Sequence, residues 1–362
     1  MSFEFKNMNK HLSIFLFSFL LFTVSSCKDK AKEFDRTPLL VNIGNNVIIP
    51  SYKTAHEKAL ALKVAVADFN NWPDPQKLPA LRTTFKEAYL AWQTVEVYDF
   101  AKGTAQAYSV NTFPADSAKI RANALTGNYN LQAAANLNAK GFAALDFILF
   151  SMNDNDLVNL IIDFPTAKQY LQDIADDIST NITATYDDWN TTYINTFTAA
   201  TGLDIGGSIG ILCNSWAQMT ERTRRERVGD ALGYVGLISS GVVNEKLLEG
   251  FYSNISKELL VANLQAGKNL FTGLAGVGFD DYPQVKEATF QGVPLNEEIA
   301  NQFDKCIAAA NAITTDFKTA LVNDKPKMET LFLELKKLTV LIKVDMASAI
   351  GVTINYTDND GD

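Results

Sequence analysis

Apolar residues recur along this chain at spacings of three and four, the step that gathers side chains on one side of an α-helix. Leu81, Phe85, Ala88, Trp92 and Val95 form one such stripe, and Leu171, Ile174, Ile178 and Ile182 form another that leads to Trp189. Nearer the C-terminus, Ile299, Phe303, Cys306, Ala310, Ile313 and Phe317 make a third, and Met328, Leu331, Leu335, Leu338 and Ile342 a fourth. Stripes of this kind are buried by packing helix on helix, as in an up-and-down bundle. Strand-like alternation is confined to short pieces, Val41-Asn42-Ile43 and residues 352–356. The pattern predicts an all-α fold.

Turn residues punctuate that pattern. Residues 50–71 read as a first helix, stopped by Trp72-Pro73-Asp74-Pro75, and 78–100 as a second that ends near Gly103. Residues 111–140, rich in Asn and Ala, read as irregular elaboration with short helical turns. A short helix follows over 141–151 and a long one over 165–189. After a break at 201–207 a helix spans 208–232, and another falls within 244–272 ahead of a loop with Gly273, Gly276, Gly278, Asp280, Asp281 and Pro283. The roughly 330 residues after the leader exceed one ordinary compact core. Two packed helical bundles are therefore expected, over 50–203 and 204–362.

The N-terminus alters the inventory. Lys6 and Lys10 precede an apolar run over 12–24, and Ser25-Ser26 lead into Cys27. About a dozen apolar residues are too few to span a ~30 Å hydrocarbon layer, so 1–26 is expected to be an export signal. Val24-Ser25-Ser26-Cys27 resembles a lipobox, which implies an exported bacterial lipoprotein held at a membrane by acyl chains on Cys27, with 27–49 as lipidated cysteine and tether. The expected location is the periplasmic or surface face of the envelope, at the outer membrane. Loss of Glu4, Lys6 and Lys10 takes the net charge from −9 to −10 and, with His11 gone too, leaves His56 as the one histidine. So acidic a chain has no electrostatic footprint for nucleic acid. Cys213 and Cys306 remain; an oxidising compartment allows a bridge, while their apolar helical settings suit buried thiols equally.

Catalytic signatures are sparse. Gly207-Ser208-Ile209-Gly210 lacks the spacing of a serine nucleophile elbow, and no Cys-x-x-Cys or His-Glu-x-x-His is present. The tail Asp358-Asn359-Asp360-Gly361-Asp362 has its glycine in the fourth position and lacks the final glutamate of a calcium loop.

The stretch Lys140-Gly141-Phe142-Ala143-Ala144-Leu145-Asp146-Phe147-Ile148-Leu149-Phe150 resembles the signature segment of imelysin-like proteins, bacterial envelope proteins in which it reads Gly-x-His-x-x-Glu. Further landmarks follow in the family's order: Ala91-Trp92, Tyr252-Ser253 with Ala262-Asn263-Leu264, the glycine-rich turn 273–282, and Gly351-Val352 through Asp360-Gly361-Asp362. The resemblance implies two helical bundles with a site at their interface beside the signature, and a role linked to iron uptake. A His and a carboxylate three residues apart on a helix share a face and can share a metal ion. Here Ala143 stands in the histidine slot and Asp146 in the glutamate slot, so Asp146 is a weak metal candidate. No cofactor is expected; iron or another divalent cation is the alternative.

The candidate ligand-site residues are Gly141, Ala143, Asp146, Glu96, Trp92, Arg222 and Arg225. Asp146 lies among apolar neighbours and needs a partner if buried. It serves either as a ligand carboxylate or as a structural one holding an arginine or a helix N-terminus, and the second reading is preferred. Arg222, Arg224, Arg225 and Arg227 crowd one helix; Arg222 and Arg225 share a face, and either would clamp Asp146 or an anionic ligand. His56 reads as a surface imidazole, and Asp280 and Asp281 as helix caps. The favoured function is a non-catalytic, ligand-binding or assembly lipoprotein with envelope iron-uptake partners. The alternatives are a metallopeptidase of the same family and an interaction scaffold with a vestigial site.

Overall fold

The computed structural model describes residues 33–234 and 241–355. The leader, Cys27 and the end of the acidic tail lie outside these residues. The regular elements of the described residues are helices except for a hairpin in which Thr289–Phe290 pairs antiparallel with Val293–Pro294. Residues 352–355, the described part of the stretch 352–356 expected to alternate as a strand, form no strand and are pinned by Asn214. Its amide nitrogen donates to the Thr353 carbonyl at 3.0 Å and its oxygen accepts from Asn355 N at 2.8 Å.

The first helix, α1, runs without a break through Arg36–Asn42, a π-helical stretch Ile43–Ile48, and Ile49–Asn71. The expected tether to residue 49 and the helix start at Pro50 are corrected accordingly. Pro50 looks like a helix-starting residue, but the π stretch just ahead of it already disturbs the regular backbone bonding that its missing N–H would have joined. Leu39, Leu40, Ile43 and Ile48 are buried, and Asn42 ties the helix to the far half of the chain. Its Nδ2 donates to the carbonyls of Gly273 and Val277 at 2.8 and 2.9 Å.

Helix α2 (Leu78–Gln93) packs antiparallel on α1; it stops seven residues before the expected end, and 94–105 continues as turns. Within the expected irregular region lies α3 (Ser117–Thr126), started by Asp116 accepting from Lys119 N and stopped by left-handed Gly127. The signature forms α4 (Gly141–Phe150). After α5 (Asp154–Asp163) comes α6 (Pro165–Asp188), which packs on α1. A π stretch, Trp189–Tyr193, then packs Trp189 among Phe100, Tyr193 and Phe197.

Beyond the turn at 200–207, α7 (Ser208–Arg224) runs into a further π stretch, Arg225–Gly229. Next come α8 (Ser256–Thr272), α9 (Leu295–Asn311), α10 (Phe317–Asn323) and α11 (Lys325–Val340). The later helices pack mainly on one another, with Trp216 of α7 stacked on Phe303 of α9. Helix α8 also packs on α2, which joins the two halves in one hydrophobic core. Cys213 and Cys306 are buried free thiols; burial pushes Cys213 far up and Cys306 up to about 12.

Asn42→Ala removes two hydrogen bonds, one buried and one partly buried, between the start of α1 and the glycine-rich turn after α8. Urea denaturation should show a loss of about 1–3 kcal/mol. A change within experimental error would mean that the start of α1 is not docked there.

Candidate functional site

Helix α4 is placed by its neighbours before its own side chains act. Lys140, buried immediately ahead of it, donates through Nζ to Asp177 Oδ2 of α6 at 3.0 Å. Gly141 has φ +69°, and a Cβ there would lie 2.0 Å from the Val110 carbonyl oxygen. Only glycine fits so close a crossing. Phe142 then stacks on Tyr89 with ring centroids 4.7 Å apart and packs beside Trp92 at 6.4 Å. Trp92 is therefore a packing residue, with no hydrogen-bond partner on its indole nitrogen.

Asp146 is buried and joins the halves. Its Oδ2 accepts from Tyr252 N and its Oδ1 from Ser253 N, both at 2.9 Å, so it holds the turn that leads into α8. Burial pushes its carboxyl up to about 6, with Glu249 adding to the rise, against the opposing effect of the hydrogen bonds from Ser253 and Tyr252. Ala143, one turn earlier, opens with Asp146 onto a cavity of about 190 Å³. Phe113, Ser117, Leu248 and Tyr252 also line it, and exposed Lys246 stands at its rim.

Beside this turn lies a buried network of charge. Glu96 accepts from Arg222 Nη1 and Arg227 Nη2, and from Asn263 Nδ2 at 3.2 Å. Glu249 Oε2 accepts from Arg227 Nε at 2.6 Å; its Oε1 accepts from Gln93 Nε2 at 2.7 Å and Asn111 Nδ2 at 2.6 Å. Arg222 also donates to Glu226 Oε2 at 2.6 Å and to the Asn111 carbonyl at 3.0 Å. The side chains of Glu96, Arg227 and Glu249 are at most 2 % exposed. Burial opposes the charge on both guanidiniums. It is outweighed by Glu96 and Glu226 around Arg222, and by Glu249 and Glu96 around Arg227, so both are held firmly protonated. The ring of Phe113 covers both, its centroid 5.3 Å from the Arg222 guanidinium carbon and 5.7 Å from that of Arg227.

The structure thus brings Ala143 and Asp146 to one cavity and Glu96 and Arg222 to the adjoining network, and leaves Gly141 at the crossing with Val110. Arg222 points inward, yet its partners are Glu96 and Glu226 rather than Asp146. Arg225 is half-buried outside the network, and Arg227 takes the place expected for it. In a regular α-helix residues five apart point about 140° apart. The π stretch Arg225–Gly229 bonds i to i+5 and brings Arg227 towards the side of Arg222. Helical spacing alone therefore misses Arg227. It also misses Glu249, Asn263 and Gln93, although a glutamate behind Leu247-Leu248 is the same kind of apolar-flanked charge that drew attention to Asp146. His56 is half-buried rather than exposed, between α1 and α6; it shares a 2.9 Å hydrogen bond with Thr183 Oγ1 and stacks on Tyr186. Asp281 accepts from Gly278 N at 2.9 Å within the glycine-rich turn.

The donor set does not suit a bound metal ion. Alanine offers no lone pair, both Asp146 oxygens already accept amides, and among the described residues no three His, Cys, Asp or Glu side chains cluster around a common point.

An all-α chain with a polar seam between two sets of helices is the class that fold and site define. The Imelysin family model matches residues 48–343, most of the sequence, and the chain belongs to the imelysin family. Two solved structures share the fold. One, named for an iron-regulated protein A precursor from Parabacteroides distasonis, aligns with a TM-score of 0.72 at 20% identity, covering 89% of this chain and 97% of that one. An imelysin-like protein from Psychrobacter arcticum aligns at 0.64 and 17% identity, covering 90% and 99%. No curated protein matches the sequence.

Two outcomes test the site. Glu96→Ala leaves Arg222 and Arg227 without their shared carboxylate and should cost about 3–5 kcal/mol in urea denaturation; a cost below about 1 kcal/mol would mean the network is solvated. Asp146 carries a folded-state pKa raised above its unfolded value. The stability its proton provides is therefore complete below about 4 and is lost as pH rises through about 6. The stability of wild type relative to Asp146→Asn should fall between pH 4 and 7; a difference independent of pH would contradict this.

Proposed function

We propose that this protein is a non-catalytic member of the imelysin family that captures a small ligand at the cavity beside Ala143, in an envelope role tied to iron acquisition. The observation that carries the reading is the cavity itself: where the resemblance calls for a metal-binding histidine, Ala143 leaves space, and Asp146 is occupied in holding the turn ahead of α8. Metal-assisted hydrolysis needs an ion with protein ligands and an open position. The single lone-pair-bearing side chain of the signature supplies neither. Hydrolysis without a metal would need a general base free at the cavity; Asp146 is held by the Tyr252 and Ser253 amides, and His56 is engaged with Thr183 and Tyr186 of α6.

The iron link is supported by the name of the P. distasonis relative and by family membership. The envelope location is supported by the apolar leader and by Val24-Ser25-Ser26-Cys27, with a lipid on Cys27 as the membrane partner. The scaffold alternative is weakened by the cavity, which stays open although Phe147 packs edge-on against Tyr252 beside it.

Peptidase assays on unfolded protein substrates and calorimetric titration with Fe²⁺, Fe³⁺, Zn²⁺ and Ca²⁺ test the reading. The expected results are no hydrolysis above background and no metal binding tighter than about millimolar. Hydrolysis, or stoichiometric metal binding abolished by Asp146→Ala, would overturn it.

A further inference from the structure

A second cavity opens on the seam between α1, the turns after α2, and α8. Its volume is about 420 Å³, and it shares no lining residue with the cavity beside Ala143. Asn46 and Val47, on the π stretch of α1, form part of one wall. Thr94 and Tyr98 form another, and Ala262 and Gln265 of α8 a third. Single π turns within helices are frequent at functional sites. None of the residues that line this cavity is charged.

Its polar atoms are mostly acceptors, because the chain has already spent their hydrogens. A hydroxyl has one hydrogen to give. Ser51, Thr54 and Thr94 each donate theirs to a backbone carbonyl, at 2.7, 3.0 and 2.8 Å, and have only lone pairs left to offer. Asn42 Nδ2 donates to two carbonyls, so its Oδ1 is the atom that accepts from Asn46 Nδ2 at 2.8 Å. The Asn46 oxygen is left without a partner. Gln265 Nε2 donates to Asn269 Oδ1 at 2.9 Å, which leaves one amide oxygen and one amide nitrogen between them. Tyr98 is 1 % exposed, and burial pushes its hydroxyl up so that it stays protonated. Among the described residues that hydroxyl has no hydrogen-bond partner, and it is a donor in reserve.

An ion of either sign fits such walls poorly. An anion would face lone pairs with no cation among them, and an organic cation would lose water with no opposing charge. A metal ion lacks a carboxylate here. A purely apolar body would strip water from the acceptors and return no hydrogen bonds. A neutral molecule rich in donors is what remains. The hydroxyls of a sugar supply those donors, and the C–H face of its ring covers apolar surface such as Val47, Ala262 and Ala266. About 420 Å³ holds roughly fourteen waters at ~30 Å³ each, the room for about a dozen heavy atoms or one hexose ring. We propose that this cavity binds one neutral hexose-sized polyol, its hydroxyls donating to Asn46, Thr94 and Gln265 and accepting from Tyr98. The site is separate from ligand capture beside Ala143, so either can fail without the other.

The test is NMR titration of the full-length protein with glucose, galactose, mannose and myo-inositol, against glucuronate and protonated glucosamine as charged rings of the same size. The expected result is saturable binding of at least one neutral ring, about fivefold or more tighter than either charged one. Tyr98→Phe removes a hydroxyl that bonds nothing in the protein. It should leave the urea midpoint unchanged while weakening binding about threefold or more. Ala262→Leu, at a half-buried position on α8, fills the cavity and should abolish binding. If that variant does not fold, Gln265→Ala, at an exposed position, takes its place and should weaken binding about threefold or more. No saturable binding of any neutral ring tighter than about 10 mM would overturn the proposal. So would equal binding of the charged rings, or binding that the Tyr98 and α8 variants leave unchanged.

Discussion

Two guanidiniums and two carboxylates sealed from water at the seam are the constraint on which the rest of this molecule depends. Glu96 lies just past the end of α2, Arg222 and Arg227 near the end of α7, and Glu249 on the turn before α8. Each buried ion is tolerable only while its partners stay in place. That requirement fixes the ends of α2 and α7 and the turn at 249–253 relative to one another. It also sets the position of the Tyr252 and Ser253 amides that Asp146 receives. A polar seam of this kind need not add net stability compared with an apolar one; it specifies a single alignment of the two halves.

The signature helix uses that alignment. Gly141 allows the close crossing with Val110, Lys140 anchors the approach to Asp177, and Phe142 wedges against Tyr89 and Trp92. With the helix so fixed, position 143 faces the seam, and Ala143 leaves a small cavity there. An alanine there changes chemistry without disturbing packing. The same backbone that could present a ligand to a metal presents instead an empty space floored by a carboxylate.

Much of the fold was legible because its helices obey regular periodicity. The stripes 81–95, 171–182, 299–317 and 328–342 all fall on buried faces. What was not legible sits where periodicity breaks. Pro50 masked the continuity of α1, and a π stretch turned Arg227 rather than Arg225 into the seam. Asn42 was invisible as a tie because both of its partners lie more than two hundred residues away. Asp146 could be singled out as a charge among apolar residues, Arg222 as one of four crowded arginines and Glu96 by its place one turn beyond Trp92, but which charge meets which is a property of tertiary alignment. Their arrangement in two adjacent groups, one of ion pairs and one in which Asp146 is held by backbone amides, appears only once the helices are assembled.

The most direct measurement is a double-mutant cycle between Glu96 and Arg227, each replaced by an apolar residue of similar size and followed by urea denaturation. If the network joins the two halves as described, the coupling energy exceeds about 2 kcal/mol and the double variant is more stable than the sum of single losses requires. A coupling below about 0.5 kcal/mol would show that the two residues act independently and that the seam is held by apolar packing alone.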